Sequence, residues 1–333
     1  MTYTLYIKSG KGVGSIANAT FRDKLRTEYR RSLKPHETEE LINQLFNRPL
    51  AFAAAKLLNV LRMTPNMITL LSLICGVSSG VMFSRGSYPH VAWAGILLQL
   101  MIIFDCADGQ LARMTNRSTK MGRILDTLAD LTTHCSIFWG AAIGLFRNTG
   151  TSLPFMFALL SQISMYYHMA LFDHFKNRFI IIAMPQCVDQ LDSLDALKNK
   201  IEQLETKSNR LSRILRSIFL WFSKMENRVV SIGYPSNCRD FQNHLTDATN
   251  IDTHIRELYY DEMRVPTKLW TMIADTIHLT VFVVCGLLNR ILLIFPIILI
   301  YTNAVMVVAL IVQRVRYRNL GLDKKIRWQE RFD

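Results

Sequence analysis

Four aspartates, Asp105, Asp108, Asp126 and Asp130, lie within 26 residues of one another and are flanked by apolar sequence. On membrane-insertion scales a carboxylate in a spanning segment costs about 2.5 to 3.5 kcal/mol, so it persists where something compensates its charge. Carboxylate oxygens are the ligands that Mg2+, Mn2+ and Ca2+ take in proteins, whereas zinc favours histidine and cysteine. The four side chains therefore predict a site for a hard divalent cation.

The spacing of these aspartates indicates two helices that face each other. Asp105 and Asp108 are three residues apart, and Asp126 and Asp130 are four apart, so each pair lies on one face of a helix. Two such helices present two carboxylates each to a shared space.

The segment also resembles the signature D-x2-D-G-x2-A-R-x8-G-x3-D-x3-D of the CDP-alcohol phosphotransferases, which are integral membrane enzymes of phospholipid synthesis. The matching positions are Asp105, Asp108, Gly109, Ala112, Arg113, Gly122, Asp126 and Asp130. Upstream, the stretch from Thr64 to Thr69 resembles the P-N-x-x-T start of the family's first transmembrane helix. The resemblance covers residues 45–180, and the remainder matches only in hydropathy.

The resemblance implies that an acceptor hydroxyl attacks a phosphorus of a CDP-linked donor and releases CMP. It implies that Asp105, Asp108, Asp126 and Asp130 hold Mg2+ or Mn2+, with Ca2+ as another occupant, and that Asp130 takes the acceptor's proton. By the same resemblance, the donor's CDP part is bound by Asn66, Thr69, Gly109, Ala112, Arg113, Thr119 and Gly122. It also implies a homodimer.

The donor and the acceptor are open at this stage. CDP-diacylglycerol with a small polar alcohol or alcohol phosphate is favoured, and a soluble CDP-alcohol with a lipid or polyol acceptor is the alternative. Outside enzymes, the aspartates also suit a cation transporter or a structural role in pairing with arginines. A phosphate ligand is favoured over a transported cation and over a structural role, because the motif contains Gly109 and Arg113 and a basic segment follows it.

Hydropathy predicts an all-α polytopic membrane protein, because half of the 333 residues are hydrophobic and six apolar segments approach the roughly 20 residues that a bilayer requires. These six predicted transmembrane helices are 66–84, 90–112, 124–146, 153–172, 269–288 and 291–313.

Basic residues predict the orientation. The links on one side hold only Arg85, Arg147 and Arg290, whereas the N-terminal 65 residues, the 113–123 segment and the C-terminal tail are rich in lysine and arginine. The positive-inside rule then places both termini and the aspartates on the cytoplasmic face. The net charge of +13 indicates attraction to anionic lipid headgroups, and nothing in the pattern indicates nucleic-acid binding.

The predicted domain organisation has five parts. They are a cytoplasmic N-terminal arm with a juxtamembrane amphipathic helix (1–62), transmembrane helices 1–4 with the motif (63–180), a cytoplasmic helical insertion (181–268), transmembrane helices 5–6 (269–313) and a basic cytoplasmic tail (314–333). Residues 1–36 are expected to be loosely ordered, and the juxtamembrane helix is expected to kink or restart at Pro49. Heptad spacing between 194 and 225 predicts a coiled coil or helical hairpin, for a dimer contact or for packing on its own domain.

Several polar residues of the later spans have two interpretations. Tyr166, His168, Asp275 and His278 either line an acceptor pocket or form hydrogen bonds between helices. His134, one helical turn beyond Asp130, is a candidate partner for that aspartate. The six cysteines contain no C-x2-C pair and are expected to be reduced, without a disulfide framework or a zinc site.

Overall fold

A computed structural model describes residues 21–115, 120–185, 187, 228–234 and 253–320. The regular secondary structure of these residues is helical throughout, which confirms the all-α class. The helices are α1 (Phe21–Ser32), α2 (Arg48–Val60), α3 (Pro65–Phe83), α4 (His90–Thr115), α5 (Lys120–Thr149), α6 (Leu153–Ala183), α7 (Thr253–Trp270), α8 (Asp275–Leu287), α9 (Ile294–Ile297) and α10 (Asn303–Asn319).

Five helical stretches of the described chain are long and apolar enough to cross a membrane. They are Pro65–Phe83, His90–Thr115, Leu153–Ala183, Arg256–Leu287 and Ile291–Asn319. The predicted third span, 124–146, lies within α5, which is 30 residues long. Asp126, Asp130 and His134 reduce the apolar character of that helix, and it is not among the five. The polytopic class is thus supported, while the predicted number of six spans is not confirmed.

Helix α3 packs against both α4 and α5, and α8 also packs against α4. The rings of Phe83, Phe138 and Phe282 join α3, α5 and α8, with ring centroids 5.7 Å apart for Phe83 and Phe282 and 4.8 Å apart for Phe138 and Phe282. Ser79 on α3 donates a 2.8 Å hydrogen bond to the carbonyl of Ala94 on α4. These contacts fix α4 and α5, which carry the aspartates, on a common support.

The contact between α3 and α5 is a glycine seam, formed by Gly76 and Gly80 of α3 with Gly140 and Gly144 of α5. A Cβ atom at Gly140 would lie 2.1 Å from the carbonyl oxygen of Gly80, and one at Gly144 would lie 2.2 Å from the carbonyl oxygen of Phe83. Small residues allow helix backbones in a membrane to approach this closely. The seam brings the backbone of α5 directly against α3.

Gly140→Ala is expected to destabilise the protein by about 1 to 3 kcal/mol, because the added methyl group collides with backbone rather than with a side chain that can move. In an ordinary helix the same change stabilises, since alanine has the higher helix propensity. The measurement is the apparent unfolding temperature in detergent. Gly109→Ala is the control for stability, because its Cβ would meet nothing closer than an Arg113 guanidinium nitrogen at 3.5 Å. An unfolding temperature for Gly140→Ala at or above the wild-type value would contradict the seam.

The N-terminal region is more regular than expected. Residues 21–32 form α1, which packs against α4, so the prediction of a loosely ordered arm is wrong for this part. The juxtamembrane helix is interrupted as predicted, since a π-helical turn at Asn43–Asn47 directly precedes α2 and Pro49 lies in the first turn of α2.

The predicted insertion boundary at residue 268 falls inside α7, which continues through Pro266 to Trp270 and leads through a 3-10 turn into α8. The heptad segment 194–225 lies outside the described residues, so the coiled coil stays a prediction. Cys75, Cys106, Cys135, Cys187 and Cys285 are free, and Cys238 lies outside the described part of the chain.

Candidate active site

Three of the four aspartates meet where α4 and α5 face each other. One carboxylate oxygen from each of Asp105, Asp108 and Asp126 lies within 4.8 Å of the others. Asp108 is 6% exposed, so its charge has little contact with solvent. Three carboxylates held this closely repel one another unless a cation lies between them. The donor set consists entirely of oxygen, which fits Mg2+, Mn2+ or Ca2+.

Asp130 follows Asp126 by one turn of α5. Its carboxyl group interacts electrostatically with Asp105, Asp108 and Asp126, so it belongs to the same region. It is not part of the group whose oxygens lie within 4.8 Å of one another. The structure therefore brings all four predicted aspartates together and sets Asp130 apart from the three closest ligand atoms.

Thr69 of α3 is 5% exposed and donates a hydrogen bond from Oγ1 to Oδ2 of Asp108. The resemblance gave Thr69 a role in binding CDP, and the structure places its hydroxyl against the carboxylate of Asp108. Asn66, one turn earlier on α3, is exposed. A hydroxyl donor of this kind fixes the orientation of a ligating carboxylate.

Thr69→Val is expected to weaken Mn2+ binding by about tenfold, because valine keeps the shape and removes the donor to Asp108. Titration of Mn2+ in the absence of nucleotide separates this effect from any contact with CDP. Thr69→Ser retains the hydroxyl and is the matched control, for which we expect near-wild-type affinity. Equal Mn2+ affinities for the valine and serine variants would show that the hydrogen bond does not orient Asp108.

Arg113 is held beside Gly109 near the end of α4. Its Nε donates a 2.7 Å hydrogen bond to the carbonyl of Ser32, the last residue of α1. Ala112 on α4 and Gly122 in the first turn of α5 are half-buried. Thr119 lies outside the described residues, so its predicted CDP contact stays a prediction.

A buried ion pair supports α4 behind the aspartates. Arg48 donates to Glu39 from Nε at 3.2 Å and from Nη2 at 3.0 Å, and its Nη1 lies 3.5 Å from the carbonyl oxygen of Cys106. Arg48 also interacts electrostatically with Asp105. Sequence reasoning missed this role, although the Asn47-Arg48-Pro49 stretch lies inside the region of resemblance.

A series of side-chain hydrogen bonds links the π-helical turn before α2 to α4 and α8. Gln99 donates to Asn47 at 2.8 Å, Asn47 donates to Asn43 at 2.8 Å, and Asn43 donates to Thr276 at 2.9 Å. Asn43 and Asn47 are one helical turn apart, but Gln99 and Thr276 lie far from them in sequence, so no spacing pattern could have indicated these two links. The series fixes the π-helical turn before α2 against the first turn of α8.

The histidines of the later helices pair between helices. His134 Nε2 lies 3.0 Å from Oδ1 of Asp275, which makes Asp275 its observed partner where Asp130 was expected. His168 Nδ1 and His278 Nε2 are 3.2 Å apart, and His278 Nδ1 is 3.1 Å from the carbonyl oxygen of Ala274. For His168 and His278 the structure thus shows the interhelical contact, one of the two interpretations left open by the sequence.

The residues that carry the aspartates are similar in sequence to a known protein family. Residues 62–192 match the CDP-alcohol phosphatidyltransferase family. The matched residues contain all four aspartates. They thus include both helices that carry the aspartates, of which α4 is long and apolar enough to cross a membrane.

Individual relatives are similar over parts of the chain. A phosphatidylinositol phosphate synthase of Corynebacterium glutamicum is 39% identical over 84 residues, which is 25% of this chain and 37% of that protein. An archaetidylinositol phosphate synthase of Pyrococcus horikoshii is 33% identical over 27% of this chain and 46% of that protein. A CDP-diacylglycerol–serine O-phosphatidyltransferase of Helicobacter pylori is 29% identical over 46% of this chain and 66% of that protein. The chain thus spans less than half of the two inositol-type relatives.

Proposed function

We propose that this chain transfers a substituted phosphate group from a CDP-linked donor, with CDP-diacylglycerol favoured, to an alcohol acceptor and releases CMP. The observation that carries the proposal is the convergence of Asp105, Asp108, Asp126 and Asp130 within the family domain. The donor is favoured because the name of the Helicobacter pylori relative specifies CDP-diacylglycerol. That relative also matches this chain over more residues than the other two.

The proposed reaction forms one phosphorus–oxygen bond and breaks another. The acceptor hydroxyl oxygen attacks the donor phosphorus, the bond to the CMP oxygen breaks, and CMP leaves with the electron pair. Asp130 takes the hydroxyl proton as general base, a role suited to a carboxylate that lies apart from the three clustered ligand atoms. Asp105, Asp108 and Asp126 would hold divalent ions. Such ions would neutralise the charge of the pyrophosphate and fix the line of attack.

The chain's own residues position the donor. Arg113 lies beside Gly109, where its guanidinium group is placed to pair with a phosphate oxygen. Asn66 is exposed on the same side of α3 as Thr69, one turn away, and is available to the cytidine part. Thr69 holds Asp108 in place through its hydrogen bond.

Access for a lipid donor is supported by the apolar surface of α2 and the turn before it. Large apolar side chains there are exposed to between 53% and 77%, which is typical of a surface that faces lipid. These residues are Leu41, Leu45, Phe46, Leu57, Val60 and Leu61. We place the site and both termini on the cytoplasmic face, because the basic residues are concentrated in the termini and in the 113–123 segment. We also propose a homodimer, on the basis of the family resemblance.

The test is a matrix of donors and acceptors with the purified chain in Mg2+ or Mn2+. CDP-diacylglycerol, CDP-choline and CDP-glycerol are combined with L-serine, inositol, inositol phosphate, glycerol 3-phosphate and diacylglycerol, and the products are identified by mass spectrometry. The proposal expects CMP release and a phosphodiester product from CDP-diacylglycerol. Product from CDP-choline or CDP-glycerol alone would support the soluble-donor alternative. Ion flux in liposomes without nucleotide, and no CMP from any donor, would instead support a transporter.

A further inference from the structure

A second polar cluster lies next to the aspartates and is not used by the chemistry described above. Asp275, the first residue of α8, interacts electrostatically with Asp105, with Asp130 and with Glu40. His134 of α5 lies 3.0 Å from its carboxylate. The ring centroid of Tyr166 on α6 is 5.9 Å from that of His134. The cluster therefore extends the acidic site towards Glu40, between α5, α6 and α8.

Several side chains of the cluster, Glu40 and His134 among them, hold buried polar atoms without a hydrogen-bond partner among the described residues. Glu40 is 7% exposed, and its Oε2 is unpartnered. His134 is 1% exposed, and its Nδ1 is unpartnered. Leaving a buried polar atom unpaired costs about 1 to 3 kcal/mol, so these atoms favour the binding of a group that pairs with them. The Asp275 side chain is 28% exposed, which leaves one side of the cluster open to an incoming molecule.

The second cluster does not have the arrangement of a metal site. Among the described residues, the only set of three or more potential ligands close enough to hold a metal is Asp105, Asp108 and Asp126. Glu40, His134 and Asp275 do not form a second such set. The polar atoms of these three side chains suit an organic molecule with several hydrogen-bonding groups.

The chemistry of the cluster selects hydrogen-bond donors. A carboxylate such as Asp275 accepts hydrogen bonds from hydroxyl or ammonium groups and repels phosphate. Burial, together with the nearby charges of Glu39 and Asp275, raises the pKa of the Glu40 carboxyl to about 8. Near neutral pH Glu40 is therefore largely protonated and can both donate to and accept from a hydroxyl group.

On the basis of the proposed function, we propose that Asp275, with Glu40, forms the acceptor subsite of this transferase. It binds hydroxyl or ammonium groups of the acceptor other than the hydroxyl that reacts. The adjacency to Asp130 places the reacting hydroxyl at the general base, and any phosphate on the acceptor points away from Asp275. His134 is a positioning residue, because it acts on the acceptor by holding the Asp275 carboxylate. The acceptor class is thus an alcohol with at least one further hydroxyl or an amine, such as serine or inositol.

The test measures the two Michaelis constants of the full-length protein separately. With CDP-diacylglycerol, Mn2+ and whichever of L-serine, inositol and inositol phosphate the wild type uses, Asp275→Asn is expected to raise the acceptor KM by about 10- to 100-fold. The donor KM is expected to stay within about twofold, since Asp275 does not contact the donor. His134→Gln is expected to raise the acceptor KM by a smaller factor in the same direction. This split between the two constants would not arise from a merely structural role.

Glu262→Gln is the matched control, because it makes the same change from acid to amide in an ion pair between α7 and α10, 3.1 Å from Arg316. Both of its Michaelis constants are expected to match the wild type. If Asp275→Asn fails to fold in detergent, the His134→Gln result decides the question. An unchanged acceptor KM, or an equal rise in both constants, overturns the subsite while CMP release by the wild type leaves the proposed function in place. A wild type that releases no CMP from any CDP-linked donor overturns both.

Discussion

Asp130→Asn is expected to lower kcat for CMP release by about 10²- to 10⁴-fold, the range typical for loss of a general base. Asparagine has nearly the same shape but cannot take the acceptor's proton. Donor binding should be largely kept, because Asp130 is not one of the three residues whose oxygens cluster within 4.8 Å. The measurement is single-turnover CMP release with saturating donor and acceptor, together with the donor KM.

The matched control for Asp130→Asn is Asp173→Asn. Asp173 pairs with Lys176 at 2.6 Å within α6, so the control removes a carboxylate from the same fold outside the aspartate site. We expect its kcat to stay close to the wild-type value. Turnover at the wild-type rate by Asp130→Asn would show that Asp130 is not the base. That result would not bear on the proposed metal binding by the other three aspartates.

Asp108→Asn is expected to abolish detectable Mn2+ binding and to reduce CMP release by about 10³-fold, because one of three clustered metal ligands is lost. The amide keeps an oxygen that can accept the hydrogen bond from Thr69, so the local packing is preserved. Binding of CMP in the presence of Mn2+ should fall with the metal. Calorimetric titration of Mn2+ followed by CMP measures both effects.

Thermal unfolding separates a metal-binding role of Asp108 from a structural role of the same residue. Wild-type protein should gain stability on addition of Mn2+, since an ion that binds only the folded state stabilises it. In EDTA, Asp108→Asn should unfold at or above the wild-type temperature, because the remaining carboxylates repel one another less. A large loss of stability in EDTA would mean that Asp108 serves the fold, and would contradict a site whose charges are retained for metal binding.

The aspartate site could be predicted from sequence because it depends on local geometry. The spacings of three and four residues place each pair on one helical face, and the apolar segments around them define the helices. The structure shows these four side chains in one region. Helical periodicity therefore gave the faces of α4 and α5 that carry the carboxylates.

The surrounding contacts could not be predicted in the same way. Arg113 is 81 residues from the Ser32 carbonyl that it contacts, and His134 pairs with Asp275 from a different helix. A periodic pattern shows which face of a helix is polar or apolar but not which other helix covers it. The extension of α7 past residue 268 was also missed, since its first turns are polar and Pro266 resembles a helix end.

The glycine seam between α3 and α5 limits where this protein can diverge. Because Gly80 and Gly140 bring the two backbones together, neither helix can gain a bulkier residue there or slide past the other. Laboratory selection for a new acceptor should therefore accumulate substitutions on α8 and the turn before α2, and leave the seam unchanged. The contact between α3 and α5 is therefore expected to stay fixed while α8 and the turn before α2 change.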